Sequence, residues 1–241
     1  YDDLVVPLPE DNHSFNSIAL GLMKDLPKPQ TGSLAEQRKR LLEIIHAKDY
    51  TVNAKEVDGE GGVVHFQFAL GRDWTVPATV FTPPEAKATT LLIADEGRAK
   101  QAAAVTQLME DGYRVVALDP FFFGESKIKS RDFLHVILMH AVGERALGVQ
   151  AGQIAAIADW AAEAYGEPVG LQSVGPRLSV AARLAAVQTE AIQSVTLHDP
   201  MQSLKEVLTE NRGANHLPEM MCFGLLEAFD LKQIEALKFN P

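Results

Sequence analysis

The sequence predicts an α/β chain: a mostly parallel central sheet flanked by helices, with antiparallel strands at its N-terminal edge. Three observations carry this. First, three short strand-like runs follow one another at residues 50–57, 63–70 (VVHFQFAL) and 76–81, joined by turns at 59–62 and 71–73. Consecutive runs on short Gly-containing turns are the signature of antiparallel neighbours. Second, the pattern then changes to near-continuous apolar runs at 89–95 (TTLLIAD), 113–118 (YRVVAL), 169–171 and 192–197 (IQSVTL), with helical stretches between them. Strands of that kind are buried on both faces, and their alternation with helices implies a parallel sheet covered on both sides. Third, residues 168–184 (PVGLQSVGPRLSVAARL) read as a strand, a tight turn and a helix in immediate succession.

Taken in order, residues 1–32 are dotted with Pro and Asp and read as an irregular N-terminal arm or linker, with one apolar patch at 18–23. A single domain is expected from 33 to 241. Ser33 can cap a helix, with Glu36 or Gln37 in its first turn, running to about Lys48 on Leu34, Leu41, Leu42, Ile44 and Ile45. The three antiparallel runs close at Pro83-Pro84. A helix is expected at 100–109, one or two helices at 133–164, and another after the tight turn. The last strand ends at His198-Asp199-Pro200. A short helix at 203–208, a polar loop at 211–216 and a mainly helical stretch at 220–237 complete the chain.

Composition narrows the function classes. The formal net charge of -10 argues against nucleic acid and against anionic membrane surfaces as partners. No apolar run approaches the roughly 20 residues that a spanning helix needs. A single cysteine, Cys222, excludes an internal disulfide framework and a cysteine-rich metal site. The chain starts at Tyr1 rather than Met, which fits removal of an upstream segment. A secreted or periplasmic protein without its leader is compatible with that start, and nothing in the sequence fixes the compartment.

Ligands of such sheets bind at the carboxyl ends of the strands. Those ends are Asp95-Glu96-Gly97-Arg98, residues 119–126, residues 172–177 and His198-Asp199. The tight turn admits two registers. With Ser173 at the apex, a nucleophilic hydroxyl is available, but Leu171 stands two residues before it, where a sharp bend calls for a small side chain. With Gly175 at the apex, Ser173 is that small residue and Pro176 starts the helix well, but the apex has no side chain. A plain strand-to-helix turn is the third possibility. His65 falls inside an alternating strand and reads as a pleat-face residue. Glu125 and Ser126 read as loop caps. His135 and His140 are five apart, off one helical face, and no metal site is expected. Phe121-Phe122-Phe123 can line a pocket or partner surface, or plug the edge of the sheet.

The segments DEGR (95–98), LDPFFFGES (118–126) and QSVGPR (172–177) resemble the α/β-hydrolase fold. The stretches AVGERALGVQAGQIAAIADW (141–160) and PEMMCFGLLEAFDLKQIEAL (218–237) bring the chain closer to bacterial acetyl xylan esterase-like proteins. The resemblance implies a serine ester hydrolase of the acetylesterase type, without a cofactor, acting on an acetylated carbohydrate or a small ester. Ser173 would be the nucleophile, Asp199 the acid and His216 the base. Amides at Gly97, Arg98 and Val174 would hold the oxyanion. In the Gly175 register the second donor would fall to Pro176, which has no N–H. Pro241 stands about where the family begins its next core strand, so the resemblance also implies a domain lacking the C-terminal strand and His segment. The alternative it leaves open is a non-catalytic scaffold or carbohydrate-binding domain beside a neighbouring domain of a longer esterase.

Overall fold

The computed structural model describes residue 9 and residues 11–239. Seven strands form one mixed sheet: β1 (Val52–Glu60), β2 (Val63–Leu70), β3 (Trp74–Phe81), β4 (Ala88–Ala94), β5 (Tyr113–Leu118), β6 (Val169–Val174) and β7 (Ile192–His198), in the order β1-β2-β3-β5-β4-β6-β7. β1, β2 and β3 are antiparallel neighbours, and β3 joins β5 antiparallel. From there to β7 every pairing is parallel. The division falls where the hydrophobic pattern changes from alternating to continuous.

Nine α-helices are described: α1 (Phe15–Leu22), α2 (Leu34–Ile44), α3 (Ala102–Glu110), α4 (Asp132–Ala141), α5 (Ala146–Tyr165), α6 (Pro176–Gln188), α7 (Glu206–Thr209), α8 (Leu225–Ala228) and α9 (Leu231–Phe239). None of them is long and apolar enough to cross a membrane. Ser33 and Glu36 make a reciprocal capping box at the start of α2. The helix ends at Ile44, short of the expected Lys48, because His46 takes φ 51° and turns the chain out of the helix. The arm before it is not wholly irregular. Ser14 accepts a hydrogen bond from the Ser17 amide and caps α1. Beyond α1 the arm is tied to the body where the Lys28 amide donates to the Glu227 carbonyl at 2.9 Å.

The main core lies on one face of the sheet. Phe68, Leu91, Ile93, Val116 and Leu171 meet Leu147, Ile154 and Ile157 of α5, a 20-residue helix buried along most of its length. α6 packs beside α5 and against α9. The Arg183 side chain of α6 donates to Glu235 of α9 at 2.6 Å. On the opposite face α3 covers a smaller cluster of Leu92, Val105, Val115 and Ala117.

The close fit of α5 depends on Gly148. A Cβ at this position would collide with the Ile45 and His46 carbonyls, which are backbone and cannot yield. Gly148→Ala is therefore expected to lower the unfolding free energy by about 3 kcal/mol, the upper end for overpacking. Urea denaturation measures it, and a change below about 1 kcal/mol would show that the crossing can relax.

Candidate active-site crevice

β4 has β5 on one side and β6 on the other. That reversal of strand order makes the carboxyl ends of β4 and β6 the switch point of the sheet, where a crevice is expected. The four strand ends singled out in the sequence converge there. The Asp95 amide donates to the Val174 carbonyl, and the Gly175 amide to the His198 carbonyl, each at 2.9 Å. His198 Nε2 and Gln172 Oε1 are 3.0 Å apart.

The bend between β6 and α6 has Gly175 at its apex, with φ 101° and ψ 159°. That combination is open essentially to glycine alone. Pro176 follows as the first helical residue and brings no N–H. A glycine cap leaves the helix N-terminus without a side-chain acceptor of its own. Asp95, at the end of β4, supplies one from across the crevice. Its Oδ2 accepts from the Arg177 amide at 2.9 Å and its Oδ1 from the Leu178 amide at 2.8 Å. The carboxylate sits so close that a Cβ on Gly175 would lie 2.5 Å from Asp95 Cγ.

A second charge pair seals the same end. Arg177 makes a bidentate contact with Glu219, Nε to Oε1 at 2.6 Å and Nη2 to Oε2 at 2.7 Å, and the Glu219 side chain is fully buried. The Arg177 guanidinium also lies 4.7 Å from the centre of the Phe123 ring. Burial holds the Asp95 carboxyl above its usual range, although the amides of Leu178 and Arg177 and the Arg177 charge act against it. Burial works to lower the Arg177 pKa, and the hydrogen bonds and charge of Glu219, with Asp95 behind them, outweigh it and raise it.

The neighbouring turn repeats the device. The buried Asp119 carboxylate accepts from the Arg98 amide at 2.7 Å and the Glu125 amide at 3.0 Å, and pairs with the Arg98 guanidinium. The Ser126 hydroxyl donates to the Asp119 carbonyl at 2.8 Å. Phe122 and Phe123 are buried, and Phe121 packs edge-on to Trp74. Gln153 and Gln150 of α5 fasten this loop through the Phe121 amide and carbonyl. The phenylalanine run is therefore mostly a plug.

The expected oxyanion donors are each placed. The Gly97 amide donates to the Ala94 carbonyl at 2.8 Å, and the Arg98 amide is held by Asp119. Val174 is the last residue of β6, paired with Ala94 and His198 on either side. Ser173 lies on the buried face of β6 with Val169 and Leu171; its side chain is inaccessible, and its Oγ has no hydrogen-bond partner among the described residues. Asp199 is exposed just beyond β7 with φ 50°. His216 is exposed in the loop between α7 and the turn at Pro218–Met220, where its amide donates to the Gly213 carbonyl. No described hydrogen bond links Ser173, Asp199 and His216. Among the described residues no cluster of His, Cys, Asp or Glu could hold a metal ion. Burial pushes the Cys222 thiol up to about 12, which leaves it unreactive.

No family model matches the sequence, and no curated protein matches it. Solved structures do match. A protein from Bacteroides fragilis, provisionally named an acetyl xylan esterase, aligns over 97% of this chain and 75% of its own, with a TM-score of 0.70 and 11% identity. Acetyl xylan esterase 1 from a Thermoanaerobacterium species covers 90% of this chain and 79% of its own, with a TM-score of 0.59 and 14% identity. The fold is that of an α/β-hydrolase. Identities this low carry the architecture and leave the activity open.

The bend at Gly175 joins β6 directly to α6, the strand–turn–helix setting in which α/β-hydrolases carry a nucleophile elbow. The strand, tight turn and helix that the sequence predicts at 168–184 are present as β6, the bend at Gly175 and α6. Glu219 was not singled out, and Asp95 was seen only as part of a strand end. One signal points to Asp95: a helix that begins Gly175-Pro176 has no capping side chain, so its free amides call for an acceptor from elsewhere.

Proposed function

We propose that this chain is a non-catalytic α/β-hydrolase-fold domain, related to esterases of the acetyl xylan esterase kind and kept as a scaffold rather than an enzyme. The observation that carries this is the glycine at the elbow apex with the Asp95 carboxylate seated against it. A carbonyl carbon arriving at the apex would find no nucleophile and a negative charge where its oxygen must become negative. The nearby donors support the same reading. The amides of Gly97, Arg98, Arg177 and Leu178 are already bonded to acceptors of the protein, and Pro176 has none. Ser173 is buried with no base bonded to its hydroxyl among the described residues, and a serine hydroxyl in that state is a weak nucleophile.

The test is hydrolysis of p-nitrophenyl acetate by the purified chain and by Ser173→Ala. Both should match buffer. A rate that depends on the protein and disappears in Ser173→Ala would overturn the proposal. It would restore an acetylesterase working through Ser173, Asp199 and His216, with the oxyanion held near Gly97, Arg98 and Val174. Ser173→Ala should also leave stability unchanged or raise it slightly, because it removes a buried hydroxyl that bonds to nothing among the described residues. A loss of more than about 1 kcal/mol in urea unfolding would show that the hydroxyl has a partner.

A further inference from the structure

We propose that the cavity between α3 and the adjoining face of the sheet is a binding site for a small carboxylate with an apolar tail. The cavity has a volume of about 450 Å³, within the range of small-molecule sites. It lies on the opposite side of the sheet from the main core. Its walls divide into two layers along the β2–β3 register. Val63 pairs with Phe81, and one step along the same face His65 pairs with Thr79. The first pair, with Val105 and Met109 of α3, makes an apolar floor. The second pair, with Arg98 and Glu125, makes a polar rim.

The rim is a connected chain of groups. His65 Nδ1 and Thr79 Oγ1 are 3.0 Å apart, and Arg98 Nε donates to the same hydroxyl at 3.4 Å. Arg98 is anchored from behind by buried Asp119 and faces Glu125 at 3.0 Å on Nη2. The two carboxylates differ. Asp119 is fixed by backbone amides, whereas the Glu125 side chain is 65% exposed and held by little besides Arg98. Arg98 is mostly buried, but the Glu125 end of the pair lies open to water, which screens it. A carboxylate entering with its tail on the apolar floor can therefore take the place of Glu125 on Arg98. The exchange is neutral in charge, because one monoanion replaces another. A phosphate dianion would add a charge with no partner, next to Asp119 and on a chain of net charge -10. The remaining His65 nitrogen, Nε2, has no partner among the described residues and stands at the same rim. This site is independent of the elbow. It would bind whether or not Ser173 is silent, and binding is read as heat rather than hydrolysis.

The experiment is isothermal titration calorimetry of the full chain with 4-phenylbutyrate and with its uncharged counterpart, 4-phenylbutanol. Saturable binding of one carboxylate per chain is expected, with the alcohol about tenfold weaker for want of the charge-assisted bond. Glu125→Gln removes the internal competitor and should tighten the carboxylate several-fold. Ala102→Trp, at an exposed position on the cavity wall, should abolish binding while circular dichroism stays that of the parent. No binding at millimolar ligand by either the parent or Glu125→Gln would overturn the proposal. So would equal affinity for acid and alcohol, or binding that Ala102→Trp leaves intact.

Discussion

Gly175→Ser is expected to cost about 3 kcal/mol or more of stability and to produce no esterase. Two terms add. The new residue is held near φ 101° and ψ 159°, a region costing about 1–3 kcal/mol for a residue with a Cβ. Its Cβ also lands 2.5 Å from Asp95 Cγ, an overpacking worth about 1–3 kcal/mol. A hydroxyl placed at the apex would still face a carboxylate, with no imidazole described beside it. Urea unfolding of Gly175→Ser and of Gly175→Ser with Asp95→Ala separates the two terms. The double variant should lose less than the sum of the singles, because Asp95→Ala opens the space. Simple additivity would mean that the elbow and Asp95 do not share one volume.

Asp95→Ala alone is the second large effect, expected at about 2–3 kcal/mol for a lost cap and two buried amides without acceptors. Asp95→Asn keeps one acceptor and should lose less. The same pair of variants reports on charge. Because burial raises the Asp95 pKa, the folded protein holds this proton more tightly than the unfolded chain does. The stabilisation linked to that proton is complete below the unfolded pKa and is lost as the pH rises through the folded one. Asparagine cannot ionise, so the stability deficit of Asp95→Asn should be largest at the acid end of the carboxylate range and shrink as the pH rises. Unfolding free energies across that range measure it. A deficit that grows with pH would mean that the amides and Arg177 dominate over burial.

The parts of this fold that were legible in the sequence are those with local causes. β2 and β5 fall at residues 63–70 and 113–118, as the apolar patterns predict, and Ser33 and Gly175-Pro176 mark the helix starts they suggest. The stretch 220–237 is mainly helical, as expected, but is divided into α8 and α9, where Asp230 turns its own carboxylate onto the Leu231 and Leu204 amides. α1 shows in the sequence only as an apolar patch, because eight residues are too few for helical periodicity to register. The choice between Ser173 and Gly175 at the apex stayed open because either residue fits the local spacing. What decides it is a carboxylate some eighty residues away in sequence, together with Glu219 on another element. Contacts of that range leave no periodic trace.

The most direct test of a silent elbow is intact-mass spectrometry of the native chain after incubation with a fluorophosphonate, followed by peptide mapping. The mass should remain that of the unmodified protein, because Ser173 is enclosed and the apex is glycine. One phosphonate per chain, mapped to Ser173, would contradict this and show an exposed, activated serine at the bend.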